Sequence, residues 1–299
     1  MSWRTVIVSS RAKLDYKMGY LVVRTDEKTS RVNLDEISVL IIENTAVSVT
    51  GCLLSEIIDK KIKVVFCDGK RNPCAELVPY FGCHDCSEKI RKQVKWTDDI
   101  KADIWTQIVS EKIRRQCEFL QELGKNDEAD LLKGYIREIE FNDATNREGH
   151  AAKVYFNALF GMGFTRSTDC FTNAALNYGY SIILSAFNRE CAANGYLTQL
   201  GLFHNNMFNY FNLSCDLMEP FRILVDRNVR TNGYSAFGTE EKHKLVAILK
   251  ESVFINDSVQ YVSNAIKIYC KSVFDAINDG DASQIRFYKI IKEHSQDEL

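Results

Sequence analysis

The chain has 299 residues and a formal net charge of −2, a length that allows one large domain or two modest ones. A balance so near zero excludes a protein that is basic overall, so contact with nucleic acid would have to rest on local patches. No run approaches the ~18 apolar residues of a membrane-crossing helix, and the first residues lack the apolar core of a signal peptide, so a cytoplasmic protein with no membrane contact is expected.

From residue 5 to about 81, short β-rich runs at 5–8, 20–24, 38–42 and 63–67 are separated by turn-formers such as Asp68, Gly69 and Lys70. One helix over 50–60 interrupts them, because Leu53, Leu54, Ile57 and Ile58 recur at helical spacing and Ser48 and Thr50 supply caps. Residues 1–82 are therefore expected to form a small β-sheet domain with one helix. Residues 83–99 turn polar, with Lys89, Arg91, Lys92 and Lys95 close together, and predict a linker. Beyond Ile100 the apolar period is near 3.6, which predicts helices over 104–120, 129–139, 149–160, 173–191, 220–226, 240–254 and 258–277. The fold class that follows is α+β, with a larger all-α catalytic domain over 100–299.

Cys117, Cys170, Cys191 and Cys270 fall on apolar helical faces and read as free thiols in a reducing compartment. Cys67, Cys74, Cys83 and Cys86 form a rival metal site. The last pair has the gap of a zinc knuckle, but the wide first gap and the strand-end position of Cys67 favour thiols near a turn.

Glu148 shares a helical face with Ala152, Tyr155, Phe156 and Leu159. A carboxylate on an apolar face needs a cation or a hydrogen-bond donor. Two readings stay open: Thr145-Asn146-Arg147-Glu148 matches a capping box, or Glu148 ligates a metal. His204 follows Gly201-Leu202-Phe203, and Asp216 and Glu219 lie in Cys215-Asp216-Leu217-Met218-Glu219-Pro220-Phe221-Arg222. On one straight helix His204 and Glu219 would be roughly 22 Å apart, so a shared ion requires the chain to turn, and Asn205, Asn206, Asn209 and Asn212 offer the chemistry to do it. Pro220 places Glu219 at a kink or a first turn. The plain alternatives are a hydrogen-bonded loop histidine and acids in a first helical turn, with Arg222 paired to Glu219. Taken together the set is oxygen-rich with one imidazole, which suits Mg²⁺ or Mn²⁺ better than zinc.

These motifs, with Asn173-Ala174-Ala175-Leu176-Asn177-Tyr178-Gly179-Tyr180, make the chain resemble the CRISPR-associated spacer-acquisition integrases, the nuclease subunit of the adaptation complex, in their type II-associated form. The resemblance implies Glu148, His204 and Glu219 as catalytic metal ligands, Asp216 as a further acid near the metal, and Mg²⁺ or Mn²⁺ as cofactor. Asn205 stands where many members have a proline. The implied activity is that of a metal-dependent DNA endonuclease and integrase, joining 3′-hydroxyl ends of captured fragments to the CRISPR repeat in a prokaryotic cytoplasm. The implied partners are double-stranded DNA, a second copy forming a homodimer, a small ferredoxin-like subunit completing a hetero-hexamer, the type II effector nuclease and other adaptation proteins. Candidate DNA contacts are Lys89, Arg91, Lys92, Lys95, Tyr178 and Arg222, with Lys60, Lys61, Lys63, Lys70 and Arg71 further along the β region. Tyr180 reads as core. The rival readings are a non-catalytic DNA-binding scaffold subunit and a zinc-stabilised interaction module.

Overall fold

The structure is a computed structural model that describes residues 4–78 and 83–291. The chain divides into two compact units between Cys86 and Ser87.

The first unit runs β1 (Arg4–Val8), β2 (Ala12–Lys17), β3 (Tyr20–Arg24), β4 (Thr29–Asn33), β5 (Ile37–Ile42), β6 (Val47–Val49), α1 (Gly51–Asp59), β7 (Lys63–Cys67) and β8 (Pro73–Glu76). Its strands form two four-stranded sheets, β1-β5-β7-β8 and β4-β3-β2-β6. β5 is buried along its whole length, and it takes an inner place parallel to β1 and β7, as a continuous apolar strand should. Leu14, Leu21, Leu40, Leu53 and Val64 meet in the core. β2 and β4 escape a hydropathy reading because polar residues fill half the positions of β2 and all but one of β4. Turn chemistry makes β2 a strand instead: Met18 and Gly19 take φ of 50° and 85° in a two-residue hairpin that pairs Lys17 with Tyr20. Lys63, a candidate DNA contact by sequence, is buried against Glu76.

The four cysteines read as a rival metal site do not assemble. Cys83 and Cys86 have sulfurs 3.2 Å apart, Cys74 donates to the Phe66 carbonyl, and Cys67 is buried.

A helix, α2 (Cys86–Val94), occupies the segment expected to be a linker. The second unit continues with α3 (Asp98–Glu122), α4 (Asn126–Arg137), α5 (Arg147–Phe160), α6 (Phe171–Ala193), α7 (Asn212–Met218), α8 (Arg222–Asn232), α9 (Thr239–Ala247), β9 (Ser252–Ile255), β10 (Ser258–Tyr261), α10 (Val262–Asp279) and β11 (Lys289–Ile290). Two long helices carry it: α3 packs on α4, α5, α8 and α10, and α6 on α7, α8, α9 and α10. The unit is mainly helical, but the helices expected over 240–254 and 258–277 are shortened by a hairpin. Residues 252–255 alternate exposed and buried, a period of two. Asn256 and Asp257, at φ of 51° and 57°, form the two-residue turn that joins β9 to β10. With β11 these make a three-stranded sheet, β10-β9-β11. No helix among the described residues is long and apolar enough to cross a membrane.

Candidate active site

Within the second unit, Lys112, Glu148, Arg166, His204, Glu219 and Arg222 line one cavity of about 270 Å³. Their positions follow from local chain chemistry.

Glu148 enters from the first turn of α5. The cap expected at Thr145 is taken by Asn146, which adopts a left-handed φ of 53° and accepts the Gly149 amide at 3.3 Å. Asp143 accepts the amides of Arg147 and Glu148 at 2.7 and 3.0 Å. The amide of Asn146 donates to the Asp143 carbonyl at 2.8 Å, and with the cap one residue later Glu148 is not the third helical residue and has no capping duty; its carboxylate reaches Lys112 Nζ at 2.5 Å. Glu219 comes from the short 3-10 turn between α7 and α8, keeping helical dihedrals of −52° and −44° although a proline follows. Its Oε2 accepts Lys112 Nζ at 2.5 Å and its Oε1 accepts Arg222 Nε at 2.7 Å. One ammonium thus bridges two carboxylates from separate elements.

Charge pairing decides how these groups ionise. Burial pushes the Glu219 carboxyl up, but Arg222 and then Lys112 outweigh it and hold it down at about 2. Burial works against the Lys112 ammonium, and Glu219 and then Glu148 raise its pKa in spite of that. Removing any one member would leave an uncompensated buried charge.

His204 is set by Asp216, which is fully buried. Asp216 Oδ2 accepts the amides of Leu202 and Phe203 at 2.6 and 3.1 Å, and Oδ1 accepts the amide of His204 at 3.1 Å together with its ring Nδ1. Four donors on one carboxylate fold residues 202–204 around it. The hydrogen bond to Asp216 raises the His204 pKa against the opposing effect of burial, and Glu219 and Glu148 add to the rise through space. With Nδ1 engaged, Nε2 is the ring nitrogen left to meet a ligand. Trp105 stacks on Phe203 with ring centres 4.6 Å apart and meets the His204 ring edge-on at 5.7 Å. Gly201 lets the loop close: a Cβ there would stand 2.3 Å from the His204 carbonyl and 2.7 Å from Asp216 Oδ2. Asp216, expected as a further acid beside a metal, spends both its oxygens on this loop and acts by orienting His204.

The remaining candidates divide. Arg222 lines the cavity, bonded to Glu219 as the i, i+3 reading expects. Tyr180 is buried yet borders the same cavity, its hydroxyl donating to Asp226. Tyr178 is a correction: it is buried against Phe237 and Lys242 rather than presented for DNA. Lys89, Arg91, Lys92 and Lys95 lie on or just after α2, with Lys92 paired to Glu88 at 2.9 Å. Sequence reasoning missed Lys112, Asp143, Arg166 and Asp226. Lys112 did leave a signal, since it falls on the α3 stripe with Ile104, Ile108 and Arg115.

Among the described residues no three His, Cys, Asp or Glu side chains group closely enough to hold a metal. Lys112 stands between the two glutamates, and Asp216 is turned to the loop. The donor chemistry still fits a hard divalent cation: two carboxylates already converge on one cation position, and an imidazole with a free nitrogen borders the same cavity.

A family model described as CRISPR associated protein Cas1 matches residues 5–233. The chain belongs to the Cas1 family. It is 35% identical over 229 residues to the CRISPR-associated endonuclease Cas1 of Neisseria meningitidis, a span that covers 77% of this chain and 75% of the relative. Among solved structures, a Cas1 protein from Thermotoga maritima matches with a TM-score of 0.76 at 17% identity, over 98% of this chain and 100% of the other. A casposase bound to integration product matches with a TM-score of 0.74 at 16% identity, over 99% and 97%. A chain of a Cas6-RT-Cas1–Cas2 complex matches with a TM-score of 0.74 at 17% identity, and there this chain spans 36% of the other's length. At these identities the structural likenesses establish the Cas1 fold alone. The glutamates, the histidine and both arginines of the cavity fall within the span matched by the family model.

Proposed function

We propose that the protein is a metal-dependent DNA endonuclease and integrase of CRISPR adaptation, which joins 3′-hydroxyl ends of captured fragments to the CRISPR repeat by transesterification. The observation that carries this reading is the convergence of Glu148 and Glu219 on one cation position in a cavity bordered by His204. The name of the Neisseria relative and the casposase's integration product support the same chemistry.

Glu148, Glu219 and His204 Nε2 would hold Mg²⁺ or Mn²⁺, whose chemistry there is to polarise the phosphodiester and stabilise charge that builds on its oxygens. Arg222, held by Glu219, adds fixed positive charge beside the reacting phosphate, and Lys112 holds the two carboxylates in place until a cation displaces it. Asp216 keeps the imidazole ring in one orientation. In strand transfer the 3′-hydroxyl of a fragment gives up its proton as its oxygen bonds to phosphorus, the bond from phosphorus to the repeat's 3′-oxygen breaks, and the departing oxygen takes up a proton, so no proton is gained or lost overall. One phosphodiester is exchanged for another, so no external energy source is needed. Water in place of the fragment's hydroxyl makes the same step hydrolysis.

The partners we propose are double-stranded DNA, a second copy of the chain and the small adaptation subunit. A fold relative seen in a Cas6-RT-Cas1–Cas2 complex supports the last of these. The test is strand rejoining on a synthetic branched DNA by the purified protein with Mn²⁺, Mg²⁺ or EDTA. Metal-dependent rejoining that is lost in folded Glu148→Ala and Glu219→Ala supports the assignment, and rejoining that persists in either variant removes that residue from the site.

A further inference from the structure

The stripe Asn173, Asn177 and Tyr180 on α6, spaced four and three residues apart, shares one helix face and holds a residue not yet given a role. Arg166 lies in the connection between α5 and α6. Its Nη1 donates to Asn173 Oδ1 at 2.5 Å and its Nη2 to Asn177 Oδ1 at 2.6 Å. The guanidinium sits 5.3 Å from the Tyr180 ring centre and 5.8 Å from that of Phe156. Asn173 is itself fixed, since its Nδ2 donates to the carbonyls of Thr165 and Thr168 at 2.8 and 2.7 Å. One buried amide therefore ties the connection that carries Arg166 to the helix that receives it.

Partner charge sets Arg166 apart from Arg222, the other arginine of the cavity, and from the ion-paired arginines nearby. Arg115, Arg147, Arg222 and Arg227 each meet a carboxylate, whereas the two acceptors on Arg166 are neutral amides. An amide fixes the direction of the fork without cancelling its charge. Two of the five guanidinium N–H donors are used, which leaves three on a half-buried cation that borders the same cavity as Glu148 and Glu219. Arg222 lies over the same Tyr180 ring at 4.7 Å. A planar, held and uncompensated guanidinium matches an anion with its charge spread over several oxygens, which is what a phosphodiester offers.

We propose that Arg166 is a DNA-binding residue that grips a non-bridging oxygen of the phosphodiester next to the one that reacts, with Asn173 and Asn177 holding its guanidinium ready. This rests on the reading above that DNA is the substrate. The fork would fix the path of the strand past the carboxylates, so that the scissile phosphate enters the cavity in one register.

The test is equilibrium binding of the full chain to the branched DNA in EDTA across a salt series, with melting curves for each variant. Arg166→Gln is expected to weaken binding roughly tenfold and to make the slope of log K against log salt shallower by about 0.7–0.9, the loss of one phosphate contact. Asn177→Asp keeps Arg166 but sets a carboxylate against it, and since residue 177 is exposed the variant should fold and show the same change. It decides alone if Arg166→Gln does not fold. Unchanged affinity and slope in both, with a wild type that binds DNA and rejoins strands with Mn²⁺, would overturn the proposal and leave the integrase reading standing. A wild type that binds no DNA would overturn that reading and the proposal together.

Discussion

Replacing Asp216 by asparagine alters one atom and tests the way the His204 loop is built. Four donors converge on the carboxylate: two amides on Oδ2, and one amide with the imidazole Nδ1 on Oδ1. Asparagine turns one of those acceptors into a donor. If its NH₂ faces Leu202 and Phe203, two buried amides lose their acceptor. If it faces His204, that amide loses its acceptor and the ring must offer a lone pair at Nδ1, which moves the ring proton to Nε2. A buried donor left alone costs about 1–3 kcal/mol, so a loss of about 3 kcal/mol is expected, and the melting temperature should fall by roughly 6–12 °C for a unit of this size. A proton on Nε2 also removes the lone pair with which His204 could hold a cation, and loss of such an orienting partner costs about 10- to 100-fold in metal affinity or activity. Calorimetry and the strand-rejoining assay with Mn²⁺ read the two effects separately. A variant that melts with the wild type and rejoins DNA at the wild-type rate would refute this account of Asp216.

Gly201→Ala should destabilise the protein by about 1–3 kcal/mol, because its Cβ would press on a backbone carbonyl and a buried carboxylate; an unchanged melting temperature would contradict the close loop packing. Burial raises the Asp226 carboxyl to about 6 from 3.8, against the hydrogen bonds from Tyr180 and Tyr155, so the folded state holds this proton more tightly than the unfolded state. The stability it contributes is present below pH 4 and is lost as pH rises through 6, a change of about 3 kcal/mol; denaturant unfolding of Asp226→Asn against wild type at pH 4 and pH 7 should show the variant gaining by that amount, and parallel pH profiles would refute it. Lys112→Met should lower stability by about 3–5 kcal/mol without metal, since Glu148 and Glu219 then face each other with less compensation. Mn²⁺ should raise the melting temperature of this variant more than that of wild type, and no rise would argue against a cation position between the two glutamates.

The parts of the fold legible in the sequence are those where burial sets the pattern. β5, β7 and the helices α3, α5 and α6 bury continuous runs or 3.6-period stripes, and composition shows both. β2, β4 and the β9–β10 hairpin depend on turn dihedrals and on pairing with a neighbour, so half-polar strands such as 12–17 carry no comparable signal. The site divides along the same line. Glu148 could be singled out as an acid on an apolar helical face, Glu219 as an acid set at a turn by Pro220, and His204 as an isolated histidine after Gly201-Leu202-Phe203. What Glu148 does at the start of α5 was not legible, because the capping motif fits the residues equally well. The choice turns on the cap falling at Asn146, whose own amide donates to the Asp143 carbonyl, so that Glu148 is no longer the third residue of the helix.

Lys112 is where sequence and structure part most sharply, and it explains why two readings of the same residues coexist. Its place beside Ile104 and Ile108 marks a lysine on a buried stripe, but nothing local names its partners, which arrive from helices far along the chain. Once they meet, Lys112 and Arg222 offset Glu148 and Glu219 without any added ion, and the unit can fold with these two carboxylates already in place. On the proposed function, the salt-bridge network and the metal site would be two states of one arrangement. A cation entering between the glutamates would displace an ammonium already bonded to both, and the position of Lys112 would tie the proposed ion binding to a rearrangement of the cavity.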